Sequence, residues 1–163
     1  IAALLVVLFM ILYYATAGVL ADLAVLVNIT IIIAVLAAFA GTLTLPGIAG
    51  LILTLGMAVD TNILVFERIR EELHHGRSLR AAVDEGFKRA FNAILDSNIT
   101  TMITGAILYY LGTGPIRGFA VTLMIGIVIT LFTGITLSKV FFELILSRGA
   151  TTFNLGQPAS EKA

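Results

Sequence analysis

Residues 56–73 read GMAVDTNILVFERIREEL. The first part is apolar except for one carboxylate, Asp60, and the rest turns polar at Glu67. In a helix rising 1.5 Å per residue, Asp60 lies roughly 10 Å in from that polar edge. A lone carboxylate at such a depth in a membrane costs about 2.5–3.5 kcal/mol or more. It should be neutral, paired, or facing a wet cavity, and a group so placed is suited to gaining and losing a proton. The alternative is a structural acid bonded to a neighbouring helix. Intramembrane acids are functional by default, which favours the proton-handling reading.

The surrounding chain supports a membrane setting. Of 163 residues, 59% are hydrophobic and 12% charged, against roughly a quarter charged in soluble domains. The mean hydropathy is +1.06. A single soluble core cannot hide that much apolar surface, so the chain reads as an all-α integral membrane protein. There is no cysteine, which excludes a disulfide framework and a thiolate metal site. His74 and His75 have no further ligands at suitable spacing, so no metal site is expected. No nucleophile–base pair or phosphate loop appears, so no enzyme is expected. The apolar opening lacks the basic flank of a signal peptide, and its abrupt start suggests a piece of a longer protein.

Five apolar stretches approach the length of a membrane-crossing helix, at about 1–16, 20–43, 48–66, 91–111 and 119–146. Turn chemistry separates them at TAG (16–18), LPG (45–47) and GTGPIRG (112–118). The domain is expected over 1–147, with 148–163 as a polar C-terminal tail or linker. Between the third and fourth stretches, at about 67–90, lies the long polar segment. Gly76 is placed to end one helix and Ser78 to cap the next. Leu79, Val83, Phe87 and Phe91 then recur every fourth residue, and Arg80–Asp84 and Glu85–Arg89 can pair at i,i+4. This describes an amphipathic helix on the membrane surface or against other cytoplasmic loops. Arg68, Arg70, Arg77, Arg80, Lys88 and Arg89 place this segment in the cytoplasm by the positive-inside rule. The breaks near Pro46 and Pro115 are then outside.

Other polar residues in the apolar stretches form the candidate surroundings of Asp60. Asp22 and Glu143 stand near cytoplasmic ends and are expected to reach water. Asp96 is either a helix cap at the interface or a second polar member of the site. Gly56, one turn before Asp60, is expected to let another helix approach. Gly105 continues a stripe with Ser97 and Thr101, and Gly126 and Gly134 lie on a stripe with Thr122, Thr130 and Ser138. Small residues at this spacing make helix-packing surfaces in membranes.

Three stretches carry a family resemblance: LTLPGIAGLILTLGMAVDTNILVFERIREEL (43–73), GFKRAFNAILDSNITT (86–101) and GTGPIRGFAVTLMIGI (112–127). They resemble, in order and spacing, the membrane region of the SecD family of bacterial protein-export proteins, over nearly the whole chain to about residue 147. Thr61 departs mildly, where the family often has alanine. The resemblance implies a five-helix bundle that forms half of a resistance-nodulation-division type transmembrane domain, in the bacterial inner membrane. It implies SecF, the SecYEG channel and a translocating preprotein as partners besides lipid, and no nucleic acid. It implies no cofactor, with protons as the coupling ion. The family's AVD-x-N motif falls on Asp60, which would carry the proton. Asn62, Asp96, Asn98, Thr100 and Thr101 are candidates for shaping the site. A basic partner for Asp60 would come from outside this chain. Two other functions share these features: a proton-driven exporter of small molecules or lipids from the same superfamily, and a passive assembly subunit of the export channel.

Overall fold

The computed structural model describes residues 2–38 and 44–147. Its elements are all helical: α1 (Ala2–Ala38), α2 (Leu45–His74), α3 (Leu79–Leu111), α4 (Pro115–Leu131), a π-helical segment (Phe132–Leu137) and α5 (Ser138–Ser147). The last three run on as one rod, broken in its hydrogen-bond register by the wider π turns. Three helices are long and apolar enough to cross a membrane: Leu4–Ala38, Leu45–His74 and Pro115–Ser147.

The five expected stretches therefore do not appear as five separate helices. The first two make up α1, which is two helical runs joined at a kink beside the break expected at 16–18. Ala15 has φ 47° and ψ −117°. The bend is sharp, because Gly18 lies against the Met10 carbonyl, whereas in a straight helix the two would be about 12 Å apart. Only a residue without a Cβ tolerates that contact. The fourth stretch belongs to α3, where Asn92, Asp96, Asn98 and a run of threonines dilute its apolar character. The end of the second stretch and the tail at 148–163 lie outside the described residues.

The sequence explains where the helices start and stop. The Thr44 hydroxyl accepts the Gly47 amide at 3.2 Å, with Pro46 in the first turn of α2. Proline suits that position because its missing N–H would be unbonded there. Gly76, at φ +76°, closes the turn after α2, a conformation that favours glycine. Gly114, at φ +41°, precedes Pro115 at the start of α4.

The amphipathic segment is not a separate surface helix. Its first part prolongs α2 beyond the apolar stretch, and its second part is the start of α3. The two pack as an antiparallel pair. Gly86 lies so close to Ile69 that a Cβ would come within 2.8 Å of its amide nitrogen. Val83 and Phe87 face inward, and the ring of Phe142 of α5 meets Phe87 edge-on and Phe66 at a tilt, at 5.9 and 5.6 Å. The fourfold apolar periodicity is that of a core face, while Phe91 at its end is exposed. Glu72, 1% exposed, is held by Arg77 Nε and Arg89 Nη1, both at 2.8 Å. Arg89 also meets Glu85 at 3.3 Å as expected, whereas Asp84 pairs with Lys139 of α5 at 3.5 Å.

Candidate functional site

α2 is the centre of the bundle: it packs on α1, α3, α4 and the π-helical segment and meets α5 through Ser138 and Phe142. Its buried face carries Thr54, Ala58, Val59, Thr61, Asn62 and Val65. The small-residue stripe of α4 and its continuation fits that face. A Cβ on Gly126 would run into Thr54, and one on Gly134 would meet Thr61 Cγ2 at 2.5 Å. Gly105 of α3 closes on Met124 in the same way, at 2.9 Å. These three glycines are packing positions. Gly56 is not one within this chain: nothing lies within 4 Å of a Cβ built there.

Asp60 shares that open side. It is exposed, one turn from exposed Gly56, on a side of α2 that also leaves Leu45, Ile52 and Leu53 uncovered. No ion pair or hydrogen bond to its side chain occurs among the described residues. The charged residues of α2 from Glu67 onward are about 10 Å away along the helix. The acid thus stands within the apolar part of α2, on a face that the bundle does not cover.

The other sequence-derived candidates divide between the two sides of the chain. Asn62 is buried, donating from Nδ2 to the Ala58 carbonyl at 3.0 Å and accepting at Oδ1 from Ser138 Oγ at 2.7 Å. Asn98 is also buried and donates to the Ile94 carbonyl at 2.7 Å, while its Oδ1 has no partner among the described residues. Asp96 and Thr100 are exposed on α3, and Thr101 is half-buried. Both threonine hydroxyls return to carbonyls one turn back, at 3.0 and 2.9 Å. Asp96 is not a helix cap, since it lies well inside α3. Asn62 is therefore bound into the core and not beside Asp60, although only two residues separate them. Two positions on a helix differ by about 200°.

A second polar centre, which the sequence reading missed, lies inside the bundle. Asn28 of α1 is fully buried and donates from Nδ2 to Thr130 Oγ1 at 3.2 Å and Thr133 Oγ1 at 2.7 Å. Thr133 belongs to the π-helical segment, and Ser138 directly follows it. Such segments often mark functional positions in helices. Asp22, expected to reach water, is instead 9% exposed with both carboxylate oxygens buried. The correction follows from the kink. With the chain turning at Ala15, Asp22 is about 10 Å along the next helical run. Glu143 does reach water as expected and lies 3.7 Å from Lys139.

Comparison with known proteins agrees with this architecture. Residues 1–147 match the family described as protein export membrane protein SecD/SecF, C-terminal. The protein translocase subunit SecD of Rhodothermus marinus is 60% identical over 146 residues, covering 89% of this chain and 24% of the relative. That of Magnetococcus marinus is 55% identical over 156 residues, covering 95% and 30%. The crystal structure of SecDF from Thermus, described as a translocon-associated membrane protein, superposes with a TM-score of 0.87 at 45% identity. That match covers 90% of this chain and 21% of the solved one. The chain thus spans about a quarter to a third of the length of these curated relatives.

Proposed function

This chain belongs to the SecD/SecF family of protein-export membrane proteins, and from that premise we propose that it is the part of a Sec export subunit that binds and passes on protons, with Asp60 as the carrier. The observation that carries this reading is the placement of Asp60. It is an acid at membrane depth, exposed on the uncovered face of α2, with open space at Gly56 one turn away.

An ionised carboxylate facing hydrocarbon is costly, so that face needs a polar partner from outside the chain. SecF is the proposed partner, bringing a helix against Gly56 and a basic group to Asp60. Protonation of Asp60 would remove its attraction to that base and allow the two helix sets to shift. Deprotonation would restore it. A cycle of this kind uses the proton-motive force to help draw a preprotein outward from the SecYEG channel. The protein would lie in the bacterial inner membrane, with the two halves of α1 as separate crossings and five crossings in all. Asp96, Asn98, Thr100 and Thr101 are then supporting groups on α3, and Asn62 fixes α2 from behind. No catalysis and no cofactor besides the proton is proposed.

The test uses full-length protein reconstituted with SecF in proteoliposomes that enclose a pH-sensitive dye. An imposed gradient should drive proton entry with the wild type, and Asp60→Asn should abolish it. A cysteine at Gly56 should also cross-link to SecF. Undiminished proton entry with Asp60→Asn would refute the assignment.

A further inference from the structure

We propose that Asp22 is a second intramembrane proton-binding site, enclosed within this chain, that holds a proton in the conformation described here. The inference rests on the chain spanning a membrane and does not depend on Asp60 carrying protons.

Asp22 is 9% exposed, and neither carboxylate oxygen has a hydrogen-bond partner among the described residues. Other buried polar side chains, even where an amide oxygen is left without a partner as in Asn28 and Asn98, keep at least one hydrogen bond or ion pair. Glu72 has two guanidinium groups, and the Asn28 amide has two hydroxyls. The elements packed on α1 are α2, α4, the π-helical segment and α5. α2 has Asp60 on its open face and its other charged residues from Glu67 to the inner end. α4 has Arg117, which donates to the Gly112 carbonyl at the outer end. The π-helical segment has no titratable residue. Lys139 and Glu143 of α5 lie near each other at the inner end. Within α1, Tyr14 donates to Glu67 Oε1 at 2.9 Å, and Tyr13 stacks on Phe9. None of these groups bonds to Asp22.

An ionised carboxylate only accepts hydrogen bonds, whereas a protonated one also donates. A donor on a short side chain has a ready acceptor in a helix: the carbonyl one turn back. This bundle uses that bond repeatedly. Asn62 donates to the Ala58 carbonyl at 3.0 Å and Asn98 to the Ile94 carbonyl at 2.7 Å. Protonated Asp22 is close to isosteric with asparagine and can make the same bond to the Gly18 carbonyl. The buried site thus accommodates the neutral acid and offers nothing to the anion.

Depth strengthens the case. The Tyr14–Glu67 bond puts the kink of α1 level with the start of the charged end of α2. Asp22 lies seven residues beyond Ala15, and Asp60 lies seven before Glu67. Both acids are therefore about 10 Å inside the same edge, one enclosed and one on the open face. Release of the Asp22 proton requires water or a base to enter between α1 and its neighbours, so its charge state reports whether that seam is open.

The experiment is infrared difference spectroscopy on full-length protein with SecF in lipid, reading the carbonyl stretch of protonated carboxyl groups at neutral pH. The wild type should show a band that Asp22→Asn removes and Asp60→Asn leaves in place. The Asp22→Asn protein should assemble and unfold at the same temperature as the wild type or higher, because asparagine stands in for the neutral acid. An unchanged band in Asp22→Asn would overturn the proposal by showing an ionised Asp22. Failure of Asp22→Asn to assemble would overturn it as well, because the fold would then depend on the negative charge.

Discussion

Ser138 donates its hydroxyl proton to Asn62 Oδ1 at 2.7 Å, joining the start of α5 to the middle of α2 across 76 residues of chain. Ser138 immediately follows the π-helical segment, so this bond fixes the phase of α5 where the helical register changes. Ser138→Ala should leave Asn62 Oδ1 buried without its donor. The expected loss is about 0.5–2 kcal/mol, the range seen for hydrogen bonds between membrane helices. Thermal unfolding in detergent checks this, with exposed Ser147→Ala as a control that should shift little.

Gly126 of α4 packs so closely against Thr54 of α2 that a Cβ there would run into it. Gly126→Leu should separate the helices or unfold them, at a cost of about 1–3 kcal/mol or more. Val128→Leu, on the exposed side of the same helix, should be nearly silent. Equal behaviour of the two variants in the same unfolding assay would show that this is not a packing face.

Glu72 joins α2 to the turn and to α3 through Arg77 and Arg89. Glu72→Ala should loosen this antiparallel pair by about 2 kcal/mol, since both arginines are half-exposed and can turn to water. Hydrogen exchange should rise in the turn around Gly76 and in the first turns of α3, and not in α4.

The charge distribution predicts the orientation. A cysteine at exposed His75 should be labelled from the cytoplasmic side alone, and one at exposed Thr113 from the outside alone. Reversed labelling would contradict the orientation.

Turn residues made most helix boundaries legible in the sequence. Thr44 with Pro46, Gly76, and Gly114 with Pro115 each have a local conformational reason that no distant contact has to supply. The kink at Ala15 was less legible, because nothing in an alanine announces a positive φ; the neighbouring glycine was the visible signal. Starting the second stretch at about residue 20, and not directly after the kink, also misplaced Asp22, whose depth depends on where α1 turns. Val83 and Phe87 showed their period but not their partner, since apolar residues facing lipid and those facing a protein core look alike in sequence. The small-residue stripes were legible at Gly105, Gly126 and Gly134, whereas Gly56 has no neighbour within this chain, because close approach depends on which helix stands opposite. Asp60 stood out through its isolation in an apolar run. Asn28 and the π-helical segment did not, as their meaning arises from contacts more than a hundred residues apart in the chain.

The central claim is that Asp60 works by exchanging a proton, and Asp60→Asn addresses it most directly. The substitution keeps the size and most of the hydrogen bonding while removing the titratable group. Full-length protein with SecF is placed in inverted membrane vesicles, and export of a reporter protein is measured with and without a proton gradient. The account predicts that Asp60→Asn assembles normally, keeps gradient-independent export and loses the gradient-dependent increment, with Asp60→Glu retaining part of it. Full gradient stimulation with Asp60→Asn would contradict the account and leave Asp60 a structural acid.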